Sequence, residues 1–267
     1  MSNFLRRLQK RRAADVSRKS AATNEAQRQS PIDIPRLLPQ FHKPGNVDPN
    51  ARKVAILVPC GDMVHTEFAT SLQNLILHQA KTRDPRLGDF GIYTYGSSLL
   101  PWSRHVLASV SLDYGFTHML WIDSDMMFPK DMVERFLDRH EPIIGINAMT
   151  RRPPYRLTAQ KEVGVELETT IESTGVVKCW RVGFGVMCVA SEVFTKIDKP
   201  WFNFEWNDEL KCYRGEDYFF CEKARAQGYE VYVDQDLSKQ VFHIGSFGFH
   251  PLLKQALPSP EDQAAQR

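Results

Sequence analysis

The sequence lacks the segments and pairings that mark several large protein classes. No apolar run reaches the roughly 18 residues that a membrane-spanning helix needs, and the charged N-terminus is not followed by the apolar stretch of a secretory signal. The cysteines are an odd number, 5, and no two of them form a CxxC pair. These absences predict reduced thiols rather than a disulfide framework or a zinc site, and a cytoplasmic location.

Net charge is also low, at +2, but it is unevenly distributed. Residues 1–50 hold ten Lys or Arg against four Asp or Glu, whereas the remainder holds 24 against 28. We therefore predict a basic N-terminal extension and linker over 1–50, either a solvated tail or an arm for nucleic acid or an anionic surface. The apolar fraction of 42% is enough for one large domain, expected over 51–250, with a C-terminal tail over 251–267.

Strand and helix patterns alternate along the body of the chain. The apolar run from Val54 to Val58 is typical of a strand buried on both faces, and helical spacing follows over 68–81. Further strands are predicted at 90–98, 117–125, 142–149, 163–171, 175–183, 184–190 and 229–236, and further helices at 99–115, 129–140, 191–197 and 216–228. This alternation predicts an α/β fold with a mostly parallel sheet and flanking helices, to which a strand at 239–245 is expected to return.

Two aspartates, Asp123 and Asp125, follow the apolar segment HMLWI. Residues i and i+2 of a strand share a face, and open α/β sheets bind ligands at the carboxyl ends of their strands. Neighbouring carboxylates repel each other, and a divalent cation such as Mg²⁺ or Mn²⁺ relieves that repulsion. The pair predicts a metal-phosphate site, with capping of the next helix as the alternative interpretation.

Two further acidic residues and one histidine fit such a site. Glu216 and Asp217 begin a predicted helix directly after Gly215. They either compensate the helix dipole or supply a general base near the metal. His243 follows an apolar strand, and an imidazole added to carboxylate ligands favours Mn²⁺ over Mg²⁺.

Taken in order, these segments resemble one enzyme family. The strand with its DSD end, the segment GEDYFFCEKARAQG and the closing HIG resemble the GT-A glycosyltransferases, specifically the family-two-like bacterial and phage enzymes, over about residues 53–246. The resemblance implies a GT-A fold that binds a nucleotide-diphosphate sugar at the carboxyl edge of the sheet. It implies Asp125 as a direct metal ligand, Asp123 as a ligand through water or a ribose contact, and His243 as the remaining protein ligand.

The resemblance also implies roles for residues around the donor sugar. Asp217, with Glu216 beside it, takes the position of the base that deprotonates the acceptor. The GFG segment from Gly183 to Gly185 resembles the loop beneath the sugar, where small residues allow close approach.

Two more positions are implied on the nucleotide side. Arg104 matches the family arginine and is a candidate contact for the pyrophosphate or the acceptor, whereas His105 stands where asparagine is usual. Asp62, in the segment PCGDMVH, is a candidate contact for the nucleotide base.

The function implied is a metal-dependent glycosyltransferase that moves a sugar onto an acceptor hydroxyl with inversion, although retention stays open. The acceptor stays open between modified DNA, reached through the basic arm, and a glycan or lipid carrier. The aromatic segment WFNFEWN at 201–207 is either core packing or a stacking platform. Arg151 and Arg152 are either surface charges or contacts for an acceptor phosphate.

Two other functions remain as alternatives. The first is another metal-dependent phosphoryl enzyme, nucleotidyltransferase-like or a nuclease, although the sequence shows no glycine-rich phosphate loop. The second is a non-catalytic GT-A-like module that binds a nucleotide sugar or DNA. Release of a nucleoside diphosphate from a nucleotide sugar separates the transferase from both.

Overall fold

The computed structural model describes residues 44–45, 48, 50–208, 211–245 and 248–255, with the side chains of 254 and 255 excepted. The predicted basic extension over 1–50 therefore lies almost entirely outside the described residues. Of the predicted C-terminal tail, only Pro251–Gln255 is described, as a 3₁₀ helix. Within the described part, no helix is both long enough and apolar enough to cross a membrane.

The described chain alternates strands and helices through its first half and adds short strands in its second half. The strands are β1 (Arg52–Cys60), β2 (Leu87–Gly96), β3 (His118–Ile122), β4 (Met126–Met127), β5 (Ile143–Gly145), β6 (Gln160–Glu162), β7 (Val165–Glu166), β8 (Val176–Cys179), β9 (Val186–Ala190), β10 (Glu205–Asn207), β11 (Cys212–Arg214), β12 (Val231–Asp234), β13 (Phe242–Ile244) and β14 (Gly248–Phe249). The helices are α1 (Thr66–Thr82), α2 (Leu100–Asp113), α3 (Met132–Arg139), α4 (Ser191–Lys196), α5 (Glu216–Ala226) and α6 (Gln235–Ser238).

The main sheet has seven strands in the order β2-β1-β3-β9-β5-β12-β8. Five of the seven run in one direction, because only β9 and β8 are antiparallel to their neighbours. Val54 to Val58 of β1 are all at most 1% exposed, as a strand covered on both faces requires. The α/β fold with a mostly parallel sheet and flanking helices is confirmed.

Helices cover the sheet with apolar faces, and α1 to α5 begin and end within three residues of the predicted bounds, whereas α6 was not predicted. Phe68 and Leu75 of α1 join Phe136 and Leu137 of α3 in the main core. Helix α2 has a proline in its first turn, and the chain leaves it at Gly115, whose φ of +76° suits a residue without Cβ.

A small sheet beside the main one brings the end of the chain to the acidic turn. Its order is β14-β13-β4, and His243 of β13 pairs with Met126 of β4. The prediction that residues 239–245 return to the main sheet is therefore wrong. Strand β4 follows Asp125 directly, so this pairing places β13 alongside the turn after β3.

The predicted strand at 163–171 is also mostly absent: β6 and β7 form a short hairpin over 160–166, and irregular chain follows. Buried polar contacts replace strand pairing in that chain. Asn147 Nδ2 donates to Leu167 O at 2.6 Å and to Thr169 Oγ1 at 2.9 Å, and Thr169 donates in turn to Gln235. A side-chain network can thus hold a segment whose residue pattern suggests a strand.

Candidate active site

The two aspartates lie in a turn rather than on the strand. Strand β3 ends at Ile122, and Met126 N donates to Asp123 O at 3.1 Å to close the turn. The prediction that the strand continues to 125 is wrong, because the chain reverses towards β4 at this point. The carboxylates of Asp123 and Asp125 consequently take different partners.

Asp123 belongs to a buried cluster around Arg104. Arg104 Nη2 donates to Asp123 Oδ1 at 2.9 Å, and Arg104 Nε donates to Glu216 Oε1 at 3.2 Å. The arginine side chain is only 1% exposed, and its guanidinium lies 5.7 Å from the Trp121 ring and 5.1 Å from the Phe184 ring. Helix α2, the turn after β3 and the start of α5 are therefore joined by one cation.

The charges of this cluster stabilise one another against burial. Burial opposes the charged form of Arg104, but the carboxylates of Asp123, Glu216 and Asp217 outweigh it and raise the pKa of Arg104. Burial also raises the pKa of Asp123, and Arg104 opposes that shift. Arg104 Nη1 is buried without a hydrogen-bond partner among the described residues, so it is the one guanidinium nitrogen that neither carboxylate engages.

Asp125 belongs to a second cluster, whose arginine is far more exposed than Arg104. Arg151 Nη2 lies 2.9 Å from Asp125 Oδ2, and His243 Nε2 lies 3.5 Å from the same oxygen. His243 Nδ1 lies 2.8 Å from Met149 O, so Nδ1 carries a proton and donates it to that carbonyl. His243 and Arg151 outweigh the effect of burial and lower the pKa of Asp125.

This second cluster fits a divalent cation in part. Asp125 Oδ1 is buried and has no hydrogen-bond partner among the described residues. His243 Nε2 is oriented by a backbone carbonyl, the arrangement usual for metal-bound histidine. Asp123 is paired with Arg104 instead, and no group of three His, Cys, Asp or Glu side chains in the described part is placed to hold a metal ion. The residues that fit a metal are therefore Asp125 and His243.

Asp217 lies at the start of α5, next to the glycine loop. Its Oδ1 accepts from Tyr218 N at 2.7 Å, and a Cβ added to Gly183 would lie 3.5 Å from its Oδ2. Burial and the neighbouring Glu216 raise the pKa of Asp217 to about 7. A carboxylate with such a pKa can accept and release a proton near neutral pH.

The glycine loop connects the base candidate to the acidic turn. Asp123 N donates to Gly185 O at 2.9 Å, and a Cβ on Gly183 would meet Thr158 Cβ at 3.1 Å. Phe184, between them, lies under Arg104. The predicted GFG segment therefore contacts both Asp123 and Asp217, and a side chain at Gly183 would crowd Thr158.

The first loop also reaches the turn, but Asp62 itself does not. His65 N donates to Ser124 O at 3.1 Å, which fixes the β1–α1 loop against the turn. Asp62 is exposed in that loop, and none of its described contacts joins it to the acidic residues. Its role as a nucleotide contact stays a prediction.

The aromatic segment at 201–207 divides between two environments. Trp201 and Phe202 are buried, whereas Phe204 is 48% exposed and lines a groove of about 430 Å³. Trp102 and His105 line the same groove with their rings 6.2 Å apart and nearly parallel. Core packing therefore accounts for Trp201 and Phe202, the stacking role of the exposed Phe204 stays a prediction, and His105 lines this groove rather than the acidic turn.

The ion pair between Arg151 and Asp125 was not predicted. The sequence indicated only a surface charge or an acceptor contact at Arg151. One signal was available. Arg151 follows β5, which runs parallel to β3 by way of β9, so both strands end at the same edge of the sheet. That places it near Asp125, but the contact itself depends on the loop path.

No protein-family model and no curated protein sequence matches the chain. Among solved structures, the chain is similar to A197 from STIV, with 14% identity, a TM-score of 0.46, and coverage of 73% of this chain and 86% of A197. It is similar to TarS 1-349 from S. aureus in complex with UDP-GlcNAc, with 15% identity, a TM-score of 0.43, and coverage of 80% and 64%. It is also similar to a mutant of the Drosophila β1,4-galactosyltransferase 7 in complex with manganese, UDP-Gal and xylobiose, with 12% identity, a TM-score of 0.44, and coverage of 73% and 71%. Similarity at this level concerns the fold, and the activity is argued below from the residues of this chain.

Proposed function

We propose that this protein is a metal-dependent glycosyltransferase that transfers a sugar from a nucleotide-diphosphate sugar to an acceptor hydroxyl with inversion. One observation carries the proposal. Asp125 has one buried oxygen without a hydrogen-bond partner among the described residues, its other oxygen lies 3.5 Å from His243 Nε2, and the Arg104 cluster links the same turn to a carboxylate whose pKa is about 7. A Lewis acid and a general base at one sheet edge are what glycosyl transfer from a diphosphate requires.

Asp125 and His243 would hold the metal, with Mn²⁺ favoured over Mg²⁺ by the imidazole. When bound, the metal neutralises charge that builds on the leaving diphosphate. Asp123 would contact the donor ribose or a metal-bound water through the oxygen that Arg104 leaves free. Arg104 fixes the direction of the Asp123 carboxylate through its 2.9 Å contact.

Asp217 would remove the proton from the acceptor hydroxyl. Its elevated pKa makes it a stronger base than an ordinary aspartate, and Tyr218 N orients it from the helix start. Glu216 is already engaged with Arg104, which makes it the positioning residue of this pair. Attack from the side of Asp217, opposite the departing diphosphate, inverts the anomeric carbon.

Gly183 and Gly185 would form the loop beneath the donor sugar, beside Asp123 and Asp217. Asp62, in the exposed first loop, would contact the nucleotide base. The groove lined by Trp102 and Phe204 offers aromatic faces to an acceptor, which suits a glycan, a lipid-linked sugar or a base of modified DNA. A cytoplasmic enzyme with reduced thiols accords with five free cysteines.

A screen of nucleotide sugars with Mn²⁺ tests the function. We expect nucleoside diphosphate release from one donor class, increased by the correct acceptor from a set that includes glycans and hydroxymethylated DNA. NMR of the product is expected to show the anomeric configuration opposite to that of the donor. Absence of release from every donor, with nucleotide binding intact, would favour a non-catalytic module, and pyrophosphate release from a nucleoside triphosphate would favour a nucleotidyltransferase.

A further inference from the structure

Arg151 occupies the side of Asp125 that a metal ion would approach. Its Nη2 lies 2.9 Å from Asp125 Oδ2, and its Nη1 donates to Ile244 O at 3.0 Å. The guanidinium thus bridges the acidic turn and the strand that carries His243. The single positive charge of Arg151 therefore balances the carboxylate that the proposed metal would bind.

The environment of Arg151 permits it to leave. Its side chain is 39% exposed, and the loop that carries it is exposed from Arg151 to Pro154. Thr150 N and Arg156 O close the base of that loop at 2.8 Å, so the backbone is anchored while the side chain faces solvent. A planar guanidinium in such a position can exchange one oxyanion partner for another.

The packing beneath Arg151 nevertheless favours its present position beside Asp125. A Cβ on Gly245 would lie 3.2 Å from Arg151 Cδ, closer than side chains normally approach. The missing side chain at Gly245 therefore lets the Arg151 stem lie along the end of β13. A larger residue there would push the guanidinium away from Asp125.

We propose that Arg151 is the resident counter-ion of Asp125, that a divalent cation displaces it, and that the displaced guanidinium then binds the donor diphosphate. The inference rests on the proposed function for the identity of the diphosphate. A guanidinium and a divalent cation on the same carboxylate repel each other, so binding of one opposes binding of the other. Diphosphate oxygens within reach of the loop offer the freed guanidinium two parallel hydrogen bonds.

Equilibrium Mn²⁺ binding to the full chain, measured by electron paramagnetic resonance without nucleotide, tests the displacement. We expect Arg151→Met to bind Mn²⁺ about tenfold more tightly than the wild type, because the competing charge is gone. Arg152→Met is the matched control, since Arg152 is the exposed neighbour and forms no ion pair with a described carboxylate; its Mn²⁺ affinity is expected to equal that of the wild type. Equal or weaker Mn²⁺ binding by Arg151→Met overturns the displacement.

The variant Arg151→Lys shows whether a change in Mn²⁺ affinity comes from the lost charge or from altered packing. Lysine keeps the positive charge but not the fork that reaches Ile244 O, so its Mn²⁺ affinity is expected to stay near that of the wild type. If Arg151→Lys instead binds Mn²⁺ as tightly as Arg151→Met, the gain comes from altered packing and the counter-ion role is overturned.

UDP binding at saturating Mn²⁺, measured by calorimetry, tests the second step. We expect Arg151→Met to bind UDP about tenfold more weakly than the wild type and Arg152→Met to bind it equally well. No difference between the wild type and Arg151→Met overturns the diphosphate contact. These are binding equilibria, so they can fail while the wild type transfers sugar, and a wild type that releases no nucleoside diphosphate from any donor is the separate failure of the proposed function.

Discussion

Two arginines hold the two aspartates of one turn, in opposite settings. Arg104 is 1% exposed, shared between Asp123 and Glu216 and enclosed by aromatic rings, whereas Arg151 is 39% exposed and reaches Asp125 from a surface loop. Removing a partner from a buried ion pair leaves an unpaired charge in a poor solvent, whereas water replaces a partner at the surface. We therefore call the Asp123 side of the turn the scaffold half and the Asp125 side, where we propose displacement of Arg151, the exchangeable half.

The largest effect is expected from breaking the scaffold half. Arg104→Met leaves the buried Glu216 and the partly buried Asp123 without their cation, and we expect it to lower the free energy of unfolding by about 3–5 kcal/mol. Urea-induced unfolding measures it. Lys178→Met is the control, because Lys178 is 55% exposed and pairs with the partly exposed Glu230, so its loss is expected to cost less than about 1 kcal/mol. Equal losses in the two variants would contradict the assignment of Arg104 as a structural anchor.

The next effect concerns catalysis rather than stability. Asp217→Asn keeps the shape of the side chain but cannot accept a proton, so we expect transfer to fall by about 10²–10⁴-fold. Glu67→Gln is the control, because Glu67 is also acidic in the first turn of a helix but is exposed on α1, and its rate is expected to match the wild type. A rate for Asp217→Asn near that of the wild type would remove Asp217 as the base.

The pH dependence of the same residue supplies a second measurement. The folded state binds the Asp217 proton more tightly than the unfolded state does, since the pKa of Asp217 is about 7 in the fold and 3.8 ordinarily. The unfolding free energy is therefore expected to fall between pH 4 and 7, while the transfer rate rises as the carboxylate forms near pH 7. Asp217→Asn is expected to flatten the stability profile in this window. A wild-type rate that is already at its maximum at pH 5 would contradict the assigned role.

On the exchangeable half, His243→Ala is expected to weaken Mn²⁺ binding by about 10–100-fold, the range seen when metal-ligand shells are disturbed. His78→Ala is a matched control, because His78 has the same 21% side-chain exposure and also faces a carboxylate, Glu134, away from the turn. Electron paramagnetic resonance of free Mn²⁺ measures both variants. Equal Mn²⁺ affinity in the two would show that His243 is no ligand.

Local residue patterns predicted the fold, whereas the pairing of site residues did not follow from local pattern. Val54 to Val58 are apolar in an unbroken run, so a buried strand and an α/β fold follow from local pattern. The proximity of His243 to Asp125 followed from a resemblance, and the structure does bring them together, at 3.5 Å. The route differed from expectation, because β13 pairs with β4 in a small sheet and not with the main one.

The arginine contacts could not be predicted in the same way. Arg104 meets Glu216 across 112 positions of sequence, and Arg151 meets Ile244 across 93. No periodicity encodes such contacts, since they depend on how loops lie after the strands have packed. The prediction of a strand at 163–171 was wrong for a similar reason. Asn147 and Gln235, distant in sequence, form the hydrogen bonds that a partner strand would have formed.

The smallest effect on the free energy of unfolding is expected from Arg151, and it tests whether the two halves of the turn are independent. Arg151→Met is expected to change the unfolding free energy by less than about 1 kcal/mol, because Arg151 is 39% exposed and His243 still faces Asp125 when it is removed. In the double variant with Arg104→Met, the two losses are expected to add within roughly 0.5 kcal/mol if the halves of the turn are independent. Urea-induced unfolding of all four proteins completes the cycle. A coupling above 1 kcal/mol would mean that Asp123 and Asp125 respond as one unit, so that displacement of Arg151 by a metal would also strain the buried scaffold.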